Sequence, residues 1–182
     1  MSRLDHPVTA EELLRLPDAG VRRELIRGEV REMTPAGGEH GFVTGDLHGY
    51  LFAFVHGRGL GRVTSAKTGF ILERDPDTVR APDCAFFRAE RLPKPLPRGY
   101  IEIAPDLVVE TLSPGDRRGE MEEKVAAWLA FGVRLLWVID PVRRRATVHR
   151  RGAKPRVIEA DGALDGEDVV PGFRCALAEL FG

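Results

Sequence analysis

Apolar positions near the start of the chain recur at helical and strand spacings in turn. Thr9-Ala10-Glu11-Glu12 is a capping-box pattern ahead of Leu13, Leu14 and Leu16, which predicts a short helix ending at Pro17. Runs at 22–26 and 29–33 flank Arg27-Gly28, predicting a tight hairpin with Glu24 and Ile26 on one face. From 39 to about 56, Phe42, Val43, Leu47, Tyr50, Leu51, Phe54 and Val55 follow a helical period. Gly41, Gly45 and Gly49 form a stripe on that helix, at a cost of roughly 1 kcal/mol each relative to Ala. The stripe predicts that a neighbouring strand or helix approaches closely.

Beyond this helix the period shortens. Extended runs at 62–65 and 68–72 precede a turn at Asp75-Pro76-Asp77-Thr78. A strand is expected over 79–87, with Asp83 among apolar neighbours and Pro82 marking a strand start or an irregular place. Residues 88–103, with Pro93, Pro95, Pro97 and Gly99, read as a surface loop of a length that is often functional or mobile. The stretch Ala104-Pro105-Asp106-Leu107-Val108-Val109-Glu110-Thr111-Leu112 then reads as a buried strand closed by Ser113-Pro114. A helix over 117–131, ended by Gly132, would bury Met121, Val125, Trp128 and Leu129. The apolar run 133–139 should lie parallel beside the Glu110 strand, with that helix as the crossover. Alternation at 146–150 and 156–159 predicts an antiparallel extension, and 177–181 a closing helix.

This order predicts one α/β domain over 1–182, a mixed central sheet flanked by helices. An N-terminal helix and β-hairpin occupy 1–35, the core 36–141, and a C-terminal antiparallel β extension with a short helix 142–182. A chain of 182 residues with 43% hydrophobic content can bury a sizeable core. Its longest apolar runs are too short to span a bilayer, and Met1-Ser2-Arg3-Leu4-Asp5 has no apolar targeting region, so no membrane association and a cytoplasmic location are expected. The two cysteines, Cys84 and Cys175, lack metal-type spacing and read as small core residues, which argues against zinc and disulfide frameworks. A net charge of -1 argues against a protein that coats polyanions generally. The sequence has no Asn or Gln, a pattern that fits a heat-adapted protein and equally a compositionally biased genome. Among 27 basic residues only Lys67, Lys94, Lys124 and Lys154 are lysines, so a Lys is worth attention for what a compact ammonium does.

Glu110 poses a physical problem, because a lone carboxylate on an apolar strand is expensive without a partner. Asp83 lies on the preceding acidic strand, and the connecting loop is long enough for antiparallel pairing, which would bring opposite Cβ atoms to about 5 Å. Two like charges there raise one pKa unless a cation compensates them. Mg2+ (or Mn2+), which favours carboxylates, carbonyls and water, is the natural compensating ion. Lys124 offers a second cation: at roughly 100° per residue it falls about 80° from the centre of the buried stripe, at the rim of the packed face. Arg117, a heptad earlier, is its rival. His40, in the first turn of the long helix, could face the same cleft or simply be a solvated or capping histidine. Asp106 stands roughly 13 Å from Glu110 at about 3.3 Å per residue, too far to share one ion. Structural readings stand beside these: Asp83 and Glu110 as hydrogen-bonded or ion-paired acids, Lys124 as a solvated helix residue, and Arg143-Arg144-Arg145 as a solvated hairpin rather than a phosphate-contact patch.

The order Pro82-Asp83, Glu110-Thr111-Leu112, Lys124 resembles the PD-(D/E)xK nuclease superfamily. Within it, the chain is similar to a large bacterial family of restriction-endonuclease-like proteins long catalogued as a domain of unknown function. The stretches that carry this are Glu24-Leu25-Ile26-Arg27-Gly28-Glu29-Val30, His40, Pro82-Asp83-Cys84-Ala85-Phe86, Pro105 through Pro114, Lys124, Gly132-Val133 and Trp137-Val138-Ile139-Asp140-Pro141. The resemblance implies a restriction-endonuclease-like fold and a Mg2+-dependent DNA endonuclease in which Asp83 and Glu110 hold the metal, Lys124 stabilises charge, and Glu24 and His40 complete the cleft. It also implies double-stranded DNA as partner and a homodimer. Leu112 stands where an ExK strand carries its lysine, so Lys124 of the next helix would replace it. A nuclease-like module that binds nucleic acid or a protein partner without cutting is the alternative, and a small-molecule hydrolase using the same acids is a third.

Overall fold

A computed structural model describes residues 6–17 and 20–182. The Met1 to Asp5 segment, read above as lacking a targeting region, lies outside the described residues. The capping box forms: Thr9 Oγ1 accepts from the Glu12 amide, and the Glu12 carboxylate accepts from the Thr9 amide, opening α1 (Ala10–Arg15). Strands β1 (Arg22–Ile26) and β2 (Glu29–Met33) pair antiparallel around Arg27 and Gly28, at φ 48° and 80°. Two consecutive positive φ values are what a two-residue hairpin turn of matching twist requires. Then follow α2 (Gly38–Gly57), β3 (Gly61–Thr64), β4 (Phe70–Glu73), β5 (Thr78–Arg80), β6 (Cys84–Arg88), β7 (Leu107–Thr111) and α3 (Arg118–Phe131). The chain continues through β8 (Leu135–Asp140), β9 (Arg145–His149), β10 (Arg156–Ile158), β11 (Ala163–Asp165), β12 (Arg174–Ala176) and α4 (Leu177–Phe181).

The central sheet has the order β10-β9-β8-β7-β6-β3, and every residue of β7 is buried. Strands β7 and β8 are parallel, with α3 between them in sequence, while β6 pairs antiparallel to β7. Strand alternation sorts the side chains to two faces. Leu107, Val109, Leu135, Trp137 and Ile139 join Val43, Leu47, Leu51 and Val55 of α2 in one core. Val108, Leu136 and Val138 join Val125 and Trp128 of α3 in another, which includes Phe70. A second sheet, β2-β1-β5-β4, reaches α3 through Phe70, whose ring meets that of Trp128 edge-on at 5.5 Å. Strands β9 and β10 form the expected antiparallel extension; the small β11–β12 pair has no counterpart in the sequence reading.

Three expectations change. The 79–87 run is two strands in different sheets, broken at Ala81-Pro82-Asp83, because Pro82 has no amide proton for a ladder. The glycine stripe of α2 faces outward: a Cβ built on Gly41, Gly45 or Gly49 meets nothing within 4 Å. The sheet instead takes the Val43, Leu47, Leu51 and Val55 row, leaving Phe42 77% exposed. The proline-rich loop is anchored by Ile101, which exchanges backbone hydrogen bonds with Ile71 and Gly69. It joins the Arg88 end of β6 to the Leu107 end of β7, away from Asp83 and Glu110.

Candidate active site

Cys84 lies opposite Val109 in the β6–β7 register, so one further step sets Asp83 across from Glu110. The Thr111 amide donates to Asp83 Oδ2 at 2.8 Å, which ties the Pro82-Asp83 corner to β7. Glu110 points toward α3, where residues four apart share a face. Lys124 Nζ donates to Glu110 Oε2 at 2.7 Å, and one turn later Trp128 Nε1 donates to Oε1 at 2.8 Å. The hairpin brings Glu24, whose Oε1 is 3.6 Å from Lys124 Nζ. Glu24 also accepts from Arg80 Nη1 at 2.9 Å and from the Ala81 amide at 3.0 Å. From the first turn of α2, His40 Nε2 lies 3.4 Å from Asp83 Oδ2.

Glu24, His40, Asp83, Glu110 and Lys124 therefore line one cleft of about 840 Å3, formed by β1, α2, the β5–β6 corner, β7 and α3. Arg117 reaches only its mouth, with an exposed side chain 3.9 Å from Glu120, so Lys124 is the helix cation against Glu110. Asp106 sits at the other end of β7, accepting from Arg91 Nη1 at 2.7 Å and from the Arg88 amide at 3.0 Å. The arginine run is absorbed locally: Arg143 bonds Asp140, and Arg144 donates to the Phe181 and Gly182 carbonyls. Sequence reasoning missed three contributors, Arg22, Arg80 and Trp128. Arg22 Nη1 donates to Asp83 Oδ1 at 3.1 Å and Nη2 to the Ala81 carbonyl. Its signal was strand parity, which puts Arg22 on the Glu24 face; the signal for Trp128 was its i+4 spacing from Lys124.

The family described as “Putative restriction endonuclease” (Uma2) matches residues 10–178. The chain belongs to this family. No functionally curated protein matches it. Among solved structures it is similar to one titled a “putative nuclease belonging to DUF820” from Anabaena variabilis, at 22% identity and a TM-score of 0.84. That likeness covers 96% of this chain and 98% of the other, and at this identity it is a likeness of fold. In this Uma2 chain Leu112, two residues beyond Glu110, packs into the apolar cluster beside α3.

The electrostatics of the Uma2 cleft differ from the expectation that two acids need an outside cation. Glu24, Asp83 and Glu110 are met by Arg22, Arg80 and Lys124. Desolvation would raise Asp83, but the His40 bond, the Thr111 amide and Arg22 outweigh it and hold the carboxyl at about 2. Burial pushes Glu110 up to about 7 against the pull of Lys124. Burial also works against the Lys124 ammonium, yet Glu110 and Glu24 more than offset it and raise its pKa. For Glu24, Lys124 and Arg80 overcome desolvation and lower the pKa. The hydrogen bond to Asp83 raises His40.

Among the described residues no group of three or more His, Cys, Asp or Glu is arranged to hold a metal ion. The available donor set is the facing pair Asp83 and Glu110. Asp83 Oδ1 and both Glu110 oxygens each accept one N–H and keep a second lone pair, whereas Asp83 Oδ2 meets both the Thr111 amide and His40, and Mg2+ is commonly held by one or two carboxylates with water completing its shell. In that sense the pair fits a hard divalent ion.

Proposed function

We propose that this Uma2 protein is a Mg2+- or Mn2+-dependent endonuclease that hydrolyses phosphodiester bonds in double-stranded DNA, as a cytoplasmic, heat-adapted homodimer. The observation that carries the reading is the reach of Lys124 from α3 onto Glu110, which returns an ammonium to a strand whose expected lysine position is Leu112. Family membership supports a nuclease-like activity, and two such sites in a dimer would suit cutting both strands. Asp83 and Glu110 would hold the metal, which when bound supplies Lewis acidity and an activated water. Lys124, kept cationic between Glu110 and Glu24, stabilises negative charge that develops on the phosphoryl oxygens. Glu24 orients Lys124, and His40 with the Thr111 amide fixes Asp83. Among the described residues no helix is long and apolar enough to cross a membrane.

A second reading, a nuclease-like module that binds nucleic acid or a protein partner without cutting, draws on the same contacts. Every oxygen of Asp83 and Glu110 already accepts an N–H, so the acids are satisfied as a structural cluster. Plasmid DNA with Mg2+ or Mn2+ separates the two: nicking or linearisation that disappears in Asp83→Ala and Lys124→Ala supports the endonuclease. Cleavage that survives both substitutions overturns the site, and DNA binding with no cleavage in the unmodified chain supports the binding module.

A further inference from the structure

The two oxygens of Asp83 are held in different ways. Oδ2 accepts from the Thr111 amide at 2.8 Å and lies 3.4 Å from His40 Nε2, so it is fixed by the sheet and by α2. Oδ1 accepts from Arg22 Nη1 at 3.1 Å and from no backbone amide, and releasing Arg22 also gives up its Nη2 bond to the Ala81 carbonyl. Arg22 is also the most exposed cation of the cluster, with its side chain 24% accessible against 15% for Arg80 and 10% for Lys124. Arg80 is committed to Glu24, which the Ala81 amide in turn anchors. The Arg22 guanidinium spends donors on Asp83 and the Ala81 carbonyl, while its buried Nε, like that of Arg80, has no hydrogen-bond partner. A buried donor left unpaired in this way asks for an explanation.

From this geometry we infer that Arg22 is the exchangeable counter-ion of the cleft: it neutralises Asp83 until a divalent cation takes Oδ1, and the released guanidinium then binds a phosphodiester oxygen of DNA. Oδ1 has a second lone pair for a divalent cation, but a guanidinium and a dication on one carboxylate oxygen repel each other, so the arrival of the ion drives the guanidinium off. The balance of charge runs the same way. Glu24, Asp83 and Glu110 are already met by Arg22, Arg80 and Lys124, with His40 beside Asp83, so a doubly charged ion adds positive charge to this cluster that an anionic phosphodiester offsets. The planar fork of Arg suits a phosphate better than a lysine ammonium does. In this way metal binding and DNA binding would be coupled through one side chain.

The inference rests on the endonuclease reading, in which Asp83 holds the ion, and it is tested by binding rather than by cleavage. Free Mn2+ is counted by electron paramagnetic resonance over the full-length chain and its Asp83→Asn, Arg22→Met and Arg22→Lys variants. Duplex DNA affinity is measured with and without Ca2+. Arg22→Met should bind Mn2+ about tenfold more tightly, equivalent to about 1.4 kcal/mol. It should also bind DNA about tenfold more weakly in Ca2+, with little change when Ca2+ is omitted. Arg22→Lys keeps the charge but loses the fork, so Mn2+ affinity stays near that of the parent while DNA affinity in Ca2+ falls about tenfold. This second variant decides the matter if Arg22→Met does not fold. Unchanged or weaker Mn2+ binding in Arg22→Met, or unchanged DNA affinity in Arg22→Lys, overturns the inference. If Asp83→Asn leaves Mn2+ affinity untouched, the metal site of the endonuclease reading fails instead.

Discussion

Replacing Lys124 by Met keeps most of the side-chain volume but leaves Glu110 without its cation. Glu110 is fully buried, and burial already lifts its pKa from 4.5 to about 7 with Lys124 in place. A folded-state pKa above the unfolded one means that the native state binds more protons, so this group lowers stability as pH rises from about 4.5 and stops doing so above about 7. Without Lys124 the folded pKa moves well above 7, and the loss continues. At about 1.36 kcal/mol per pH unit, raising the pH from about 7 to 9 should cost Lys124→Met up to about 2.7 kcal/mol more than the parent. The total penalty then approaches the roughly 3–5 kcal/mol typical of a broken buried pair. Urea unfolding of both proteins at several pH values from 6 to 9 reads this directly. The double variant with Glu110→Gln should lose this extra slope between pH 7 and 9. A penalty that is the same at every pH would refute the reasoning, because it would mean that Glu110 is not the group left unpaired.

Two further outcomes follow from the same contacts. Asp83, held at about 2 against the usual 3.8, contributes stability that is present above pH 3.8 and lost as the pH falls through 2. Guanidinium melts should therefore show the parent losing about 2.5 kcal/mol more over that window than Asp83→Asn, which lacks this contribution. Trp128→Phe removes the 2.8 Å donor to Glu110 Oε1 while keeping an aromatic ring. Leaving a buried acceptor short should cost roughly 1–3 kcal/mol in thermal or denaturant unfolding, and a cost near zero would show that the indole does not hold Glu110.

What the sequence made legible was mostly what has a short period. The hairpin at Arg27-Gly28, the capping box at Thr9 and the buried 107–111 strand each depend on neighbours within a few residues, and each stands in the structure. The 88–103 loop allowed Asp83 and Glu110 to face each other by antiparallel pairing but did not set the register, which the β6–β7 ladder and the Thr111 amide on Asp83 set. The glycine stripe was not: small residues permit a close approach but do not attract one, and the opposite row of branched side chains buries more apolar surface. Nor was the compensation of the acids. Arg22 and Arg80 come from β1 and β5, strands of a second sheet whose position over the cleft no local pattern encodes. Arg22 and Arg80, outside the motif, thus supply neutralisation that the motif residues alone would have to take from a metal ion.

The helix position of the lysine has a structural consequence that a strand lysine would not have. A lysine two residues beyond Glu110 would be tied to the acid by the strand itself, whatever the rest of the chain did. Lys124 instead depends on α3 being docked, which its packing through Val125 and Trp128 provides. It depends also on Glu24, since the ammonium sits between Glu110 at 2.7 Å and Glu24 at 3.6 Å. Glu24 is in turn held by Arg80 and the Ala81 amide, next to the Pro82-Asp83 corner. The ion pairs thus close a loop through β1, β5, β7 and α3, and each member fixes the next. With each charge of that loop paired to the next, moving one charge must move its neighbour. Arg22 stands at the edge of the loop, on an oxygen that no backbone group holds, and is the point at which it can open.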